Sequence, residues 1–418
     1  MFRKLVLIAL GCSISVVNAD DLKKAKPESV GMSSERLERI KPYMQAYVDN
    51  DELAGMVTLI ARKGKIVHFE EVGKLNLETG KKLEKDSLFR IYSMTKPIVT
   101  TAAMMLYEEG KFQLTDPVSM YLPAFKGVKV LVDGEEVDAT HEFTIRELMS
   151  HTAGLTYGVF GNTEIDQAYR AAFWEQTGEN KVATIEEMVN EMGDIPLLYQ
   201  PGTKWVYSLS VDVLGRLIEV VSGQALDVFL QERMFGPLDM DDTFFEVPKN
   251  KVKRFGTNHQ LSKDGILTVM DRPESSAFAN EVTFFSGGHG LVSTAMDYMR
   301  YSQMMLNGGE LEGVRIVSPT TIELMTRNQL NEGLKSGYGE RPGVAGTLGF
   351  GLGFGVATAP PKVGSGSKGE FNWGGAAGTL FWIDPEEELT AVLMVQMMRN
   401  PINLRAQFKA LTYQAIVE

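Results

Sequence analysis

Cysteine is almost absent from this chain: its 418 residues include one, Cys12. That residue lies in an apolar stretch at the start, so the remainder has no thiol for a disulfide, a thiolate nucleophile or a cysteine-based metal site. Histidine is sparse as well. The five histidines stand at positions 68, 141, 151, 259 and 289 without metal-ligand spacing, and His141-Glu142 lacks the second histidine of a zinc-protease helix. There is no Gly-x-Ser-x-Gly elbow and no Walker loop, which argues against an α/β-hydrolase and a P-loop nucleotide site. A serine nucleophile here would draw on a base other than histidine, and no metal or organic cofactor is implied. No long Lys/Arg run offsets the net charge of −12. Such a surface repels phosphate backbones and anionic lipid, so nucleic acid is not an expected partner.

What is present begins with an ordinary globular balance, 44% hydrophobic and 23% charged residues, in a chain long enough for one large domain or two. Met1-Phe2-Arg3-Lys4 is a short basic start, residues 5–17 are largely apolar, and Ala19 offers a small cleavage residue before Asp20-Asp21. This is the layout of a secretory signal peptide over residues 1–19, too short for a membrane span. Cleavage after Ala19 would remove Cys12 with Arg3 and Lys4, leaving 40 basic residues against 54 acidic ones, a net −14. Lipid attachment at Cys12 fits poorly, since Ala9-Leu10-Gly11 departs from a lipoprotein box. A periplasmic or secreted protein without stable membrane insertion is expected.

Ser33 caps an expected helix over residues 33–48. Two β-like runs, 56–61 and 66–72, flank Arg62-Lys63-Gly64-Lys65 as a hairpin. A largely helical region follows to about residue 245, with helices near 145–150, 185–192, 211–221 and 226–234. Beyond residue 254 the chain turns glycine-rich, with helices near 294–306 and 320–327 and with loops or edges at 349–356 and 364–369. A second hairpin, 379–384 and 389–396, precedes a last helix over 404–416. Strands at both ends with helices between them predict one antiparallel sheet and a helical insertion: an α+β fold with its site at the seam. The expected division is an α/β domain from 20–100 and 255–418, and a mainly helical domain from 101–254.

Chemistry enters with Ser-x-x-Lys, a pattern for which roughly one or two chance matches are expected at this length. Two occur, Ser93-Met94-Thr95-Lys96 and Ser365-Gly366-Ser367-Lys368. The second lies among glycines and serines, where nothing fixes a side chain. The first opens a run of small and apolar residues that must be a buried helix. Three positions along a helix set Lys96 on the face of Ser93. Helix N-terminal amides favour a developing alkoxide, and an ammonium that loses its water becomes a better proton acceptor. A capping serine beside an exposed lysine is the plainer alternative on this fragment alone.

Wider context weighs against that alternative. The chain resembles the serine β-lactamase-like family, which holds class C β-lactamases, D-Ala-D-Ala peptidases and family VIII carboxylesterases. The likeness runs from about Pro27 to the last helix through "PESVGMSSERLERI", "FRIYSMTKPIVTTAAMMLYEEGKFQLTDPVSMYLP", "TIRELMSHTAGLTYG", "PGTKWVYSLSVDVLGRLIEVVSG" and "GGHGLVSTAMDYMRY", in order. It implies a β-lactamase/transpeptidase-like fold with Ser93 as the acylated nucleophile and Lys96 as its partner. The block at Tyr207-Ser208-Leu209 stands where the family has Tyr-x-Asn, which implies Tyr207 as general base; Leu209 departs from the pattern and removes an amide suited to a β-lactam side chain. In place of the family's Lys-[Ser/Thr]-Gly strand, Trp373-Gly374-Gly375 resembles the esterases' Trp-x-Gly. Lys335-Ser336-Gly337 matches the lysine motif literally, but Tyr338 to Pro342 behind it cannot form a central strand.

These residues imply an oxyanion hole from the Ser93 and Ala376 amides, and substrate contacts at Trp373, Gly374 and Gly375. His151 in "SHTAGL" is expected to be structural, and Asp212 a helix-start residue. The activity implied is a serine carboxylesterase for short-chain esters, closest to family VIII, with possible side activity on β-lactams. The alternative is a β-lactamase or D-Ala-D-Ala carboxypeptidase, and a silent binding module on the same fold is a third reading.

Overall fold

The computed structural model describes residues 22–175, 182–337 and 347–418. The expected signal peptide, with Cys12, and Tyr338 to Pro342 lie outside them. The main sheet is built from both ends of the chain. Its strands are β1 (Gly55–Arg62), β2 (Lys65–Asn76), β3 (Lys81–Lys82), β4 (Leu348–Phe350), β5 (Gly355–Ala357), β6 (Phe371–Gly374), β7 (Leu380–Asp384) and β8 (Leu389–Val395), in spatial order β4-β5-β6-β7-β8-β1-β2-β3. Every pairing in it is antiparallel. The first hairpin turns through Lys63 and Gly64, at φ 50° and 71°, the double left-handed conformation that matches strand twist.

Burial of both sheet faces explains why the central strands look continuously apolar. All of β1 is buried. With the two-residue period of a strand, Val57, Leu59 and Ala61 face the core shared with the helical region, while Met56 and Ile60 face the other side. That other side is covered by α1 (Ile40–Asp49), through Ile40 and Met44, and by the last helix, Leu404–Tyr413, through Leu404 and Phe408.

The helix expected over 33–48 is split into Ser34–Leu37 and α1. Pro42 accounts for the break: it has no N–H to give and is accommodated only in a helix's first turn. The region expected to be helical also holds a hairpin, Lys129–Val132 with Glu135–Asp138, turning at Asp133-Gly134. That Asp-Gly pair is a hairpin signal in its own right.

At the seam stands α2 (Thr95–Glu108), buried continuously from Thr95 to Leu106. A helix apolar all round belongs in a core, and α2 packs against α3 (Ser210–Ser222) of the helical region. No helix among the described residues is long and apolar enough to cross a membrane.

Candidate active site

Ser93 sits on a 3-10 turn, Tyr92–Met94, that leads directly into α2. Tyr92 before it has φ 43°, a left-handed conformation that costs a non-glycine residue about 1 kcal/mol or more and must be held by its surroundings. Two residues before Tyr92, Arg90 is fully buried on the short strand Phe89–Arg90. Its Nε donates to Asp271 at 2.7 Å, and its guanidinium lies 3.9 Å from the Phe255 ring centre. The Tyr92 hydroxyl accepts from the Asn258 amide at 2.9 Å.

Lys96 has no exposed surface. Its Nζ donates to the Tyr157 hydroxyl at 2.8 Å and to the Gly288 carbonyl at 2.7 Å, with Ser93 Oγ at 3.5 Å. The ammonium also lies 4.7 Å from the Tyr207 ring centre and 5.1 Å from that of Tyr157, where the negative ring faces stabilise it. The Tyr207 hydroxyl is buried without a hydrogen-bond partner among the described residues. Tyr207's ring is wedged between His151 and Trp373, with centroids at 5.0 and 5.5 Å.

Tyr157 is the residue the sequence reading missed, although it lies six positions after His151 in a block already singled out. Burial pushes its phenol well above the usual value, and the neighbouring Tyr207 and Asp212 add to the shift. Tyr157 is therefore held protonated, as a hydrogen-bond partner for Lys96. His151 is buried with its Nδ1 3.0 Å from Ser208 Oγ, and its backbone carbonyl accepts from Val206. Burial, with the Lys96 charge behind it, lowers its imidazole well below 6.5. A neutral, weakly basic imidazole behind the Tyr207 ring fits a packing role.

A cleft of about 900 Å³ brings together Ser93, Tyr207, Trp373, Gly374, Gly375 and Ala376. Phe160 and Trp205 extend its aromatic lining. The second glycine of Trp373-Gly374-Gly375 has a steric reason. A Cβ at Gly375 would stand 2.4 Å from the Ile91 carbonyl oxygen and 2.2 Å from Thr379 Oγ1, so only glycine lets this strand end reach the nucleophile turn. Leu209 is fully buried in the main core, so the departure from Tyr-x-Asn puts an apolar side chain into packing.

The literal Lys335-Ser336-Gly337 lies outside the sheet, yet Gly337 borders the cleft beside Trp205. Ser365 to Lys368 lies in a loop. The reading from sequence also missed a cationic wall: Arg399 and Arg405 line the same cleft, and an Arg405 guanidinium nitrogen lies 3.5 Å from where a Gly374 Cβ would stand. Those arginines come from the turn after β8 and the last helix, far from any motif block.

A serine-bearing turn ahead of a buried helix, packed against the interior strand β6 of an antiparallel sheet built from both ends of the chain, defines a β-lactamase/transpeptidase-like fold. The chain belongs to the Beta-lactamase family, whose model matches residues 40–413. Protein Rv1367c of Mycobacterium tuberculosis (strain ATCC 25618 / H37Rv) is 34% identical over 356 residues, which cover 82% of this chain and 86% of that protein. Esterase EstB of Burkholderia gladioli is 29% identical over 365 residues, with the same shares of 82% and 86%. Among solved structures, EstCE1, described as a hydrolase with promiscuous acyltransferase activity, superposes with a TM-score of 0.78 at 26% identity. That match covers 92% of this chain and 99% of EstCE1.

Proposed function

We propose that this protein is a serine carboxylesterase acting on small esters through an acyl-enzyme on Ser93. The observation that carries the reading is the Lys96 ammonium, buried between Ser93 Oγ, the Tyr157 hydroxyl and the Tyr207 ring. Ser93 Oγ attacks the ester carbonyl while its proton passes to Tyr207. The charged Lys96, 3.5 Å from Ser93 Oγ and 4.7 Å from the Tyr207 ring centre, favours the serine alkoxide and the phenolate that serves as its base. The carbonyl oxygen, negative in the tetrahedral intermediate, is received by the Ser93 and Ala376 amides. Tyr207 then gives its proton to the departing alcohol and takes one from the water that releases the acid.

Trp373, Trp205 and Phe160 offer apolar walls to acyl and alcohol groups, and the likeness to esterase EstB supports an ester as substrate, as that to EstCE1 supports acyl chemistry. The basic-apolar-small order of residues 1–19 supports export to the periplasm or medium.

A second reading, hydrolysis of β-lactams or D-Ala-D-Ala peptides, is favoured by Arg399 and Arg405 in the cleft, since both classes of substrate carry a carboxylate. Purified mature protein, with Ser93→Ala as control, is to be assayed against p-nitrophenyl butyrate and a chromogenic cephalosporin side by side. Fast ester hydrolysis with slow cephalosporin turnover is the expected result. The opposite preference would give the case to the carboxylate-bearing substrates.

A further inference from the structure

Asp212 takes no part in that chemistry, yet it is fully buried in the first turn of α3. A carboxylate out of water must be paired or hydrogen-bonded to persist. No ion pair reaches Asp212 among the described residues. Its Oδ1 accepts from the Ser286 hydroxyl and from the Gly288 N–H at 3.0 Å, and its Oδ2 has no partner among the described residues. Ser286 Oγ in turn accepts from the amides of Gly288 and His289 at 3.2 and 3.0 Å. A Cβ on Gly288 would stand 2.3 Å from Asp212 Oδ2, so the loop lies directly on the carboxylate. The same Gly288 offers its carbonyl to Lys96 at 2.7 Å. Carboxylate and ammonium thus grip the two ends of one glycine. The Asp212 charge is also felt in the site, where it helps to raise the Tyr157 phenol and opposes the burial that lowers His289.

We infer that Asp212 is the positioning residue for Lys96. Acting through Ser286 and Gly288, it fixes the carbonyl that accepts one ammonium N–H, and its negative charge balances the buried ammonium, leaving the remaining N–H groups aimed at Ser93 and Tyr157. The inference rests on the Ser93–Lys96 reading above. A purely structural role, locking the 286–290 loop onto α3, would need the shape of the side chain but not its charge.

Asp212→Asn separates the two roles, because it keeps an acceptor for the Gly288 N–H and loses the charge. The readout is the second-order rate at which a fluorophosphonate labels Ser93, with kcat and KM on p-nitrophenyl butyrate and the melting temperature alongside. A fall of about 30-fold in labelling and in kcat, with KM within about twofold and melting little changed, is expected for a charge that aims the proton-handling group. Labelling within about twofold of wild type would overturn the inference and leave the esterase reading standing. Wild-type protein that the probe never labels would overturn both. If Asp212→Asn does not fold, Ser286→Ala decides: a fall of about five-fold or more in labelling supports the relay, and an unchanged rate sinks it.

Discussion

The chain writes Ser-x-x-Lys twice and uses the two copies differently. Around Ser93, the tetrad spans a 3-10 turn and the start of a core helix, and its lysine has no exposed surface. Around Ser365, the same spacing lies in a loop with Lys368 exposed, and the Ser367 amide merely donates to Asp384 at 3.1 Å. An exposed ammonium keeps its water, so the same spacing in a loop does not give Lys368 the setting of Lys96. What makes the first copy a site is the company brought to it from elsewhere: Tyr157, Tyr207, Gly288 and the strand end at Trp373. The pattern names a candidate, and the burial decides.

That contrast can be broken by substitution, beginning with the largest effect. Ser93→Ala should lower ester turnover by about 10⁴-fold or more, while Ser365→Ala stays within about twofold of wild type. Retained activity in Ser93→Ala would remove the nucleophile assignment. Next, Lys96→Ala should cost about 10³-fold in kcat, against no measurable change for Lys368→Ala. A matching loss in both variants would mean that the buried setting adds nothing.

The tyrosines sharpen the first copy from within. Tyr207→Phe should reduce kcat by about 10²- to 10³-fold, the scale of a lost acid–base group, and Tyr157→Phe by about tenfold, the scale of a lost hydrogen bond to a charge. The reverse order would transfer the base role to Tyr157.

The smallest effect expected is on stability. His151, packed against the first copy, is held neutral by burial and secondarily by Lys96, with its pKa well below 6.5. In the unfolded chain it takes up a proton as pH falls through about 6.5, so its contribution is complete above that pH and is lost progressively below it. The melting temperature should fall between pH 7.5 and 5, and fall less in His151→Gln. An equal slope in both proteins would take His151 out of the account.

The parts of the fold legible in the sequence were those with local signals. The hairpins show as apolar runs around Lys63-Gly64 and Pro385 to Glu388, and α2 as an unbroken small and apolar stretch. Asp133-Gly134 carried the same kind of signal and was passed over because its neighbours, Glu135 and Glu136, are charged and its strands exposed. The candidate site was legible where a motif points to a residue, as at Ser93, Lys96, Tyr207 and Trp373. The parts of Gly288 and Asp212, although both stand in quoted blocks, and of Arg405 were not legible, because they depend on which chain segments meet in space, and residue type alone does not record that. Tyr157 lay in view but was outweighed by the more suggestive His151 beside it.

The order of strands in the main sheet has a consequence for how the protein comes to life. Strand β1 finds its partner in β8, Met56 opposite Val395 and Arg62 opposite Leu389, nearly a whole chain apart. Pairings of such high contact order pay for a long loop before they return any contact energy, and they fold slowly. The turn bearing Ser93 is separated in the sequence, by the whole helical region, from the strand that walls its cleft, β6, and from the strand that completes the sheet beneath it, β8. Until β6 and β8 join it, α2 lacks part of its covering, so the cleft described above forms only once segments far apart in the sequence have met.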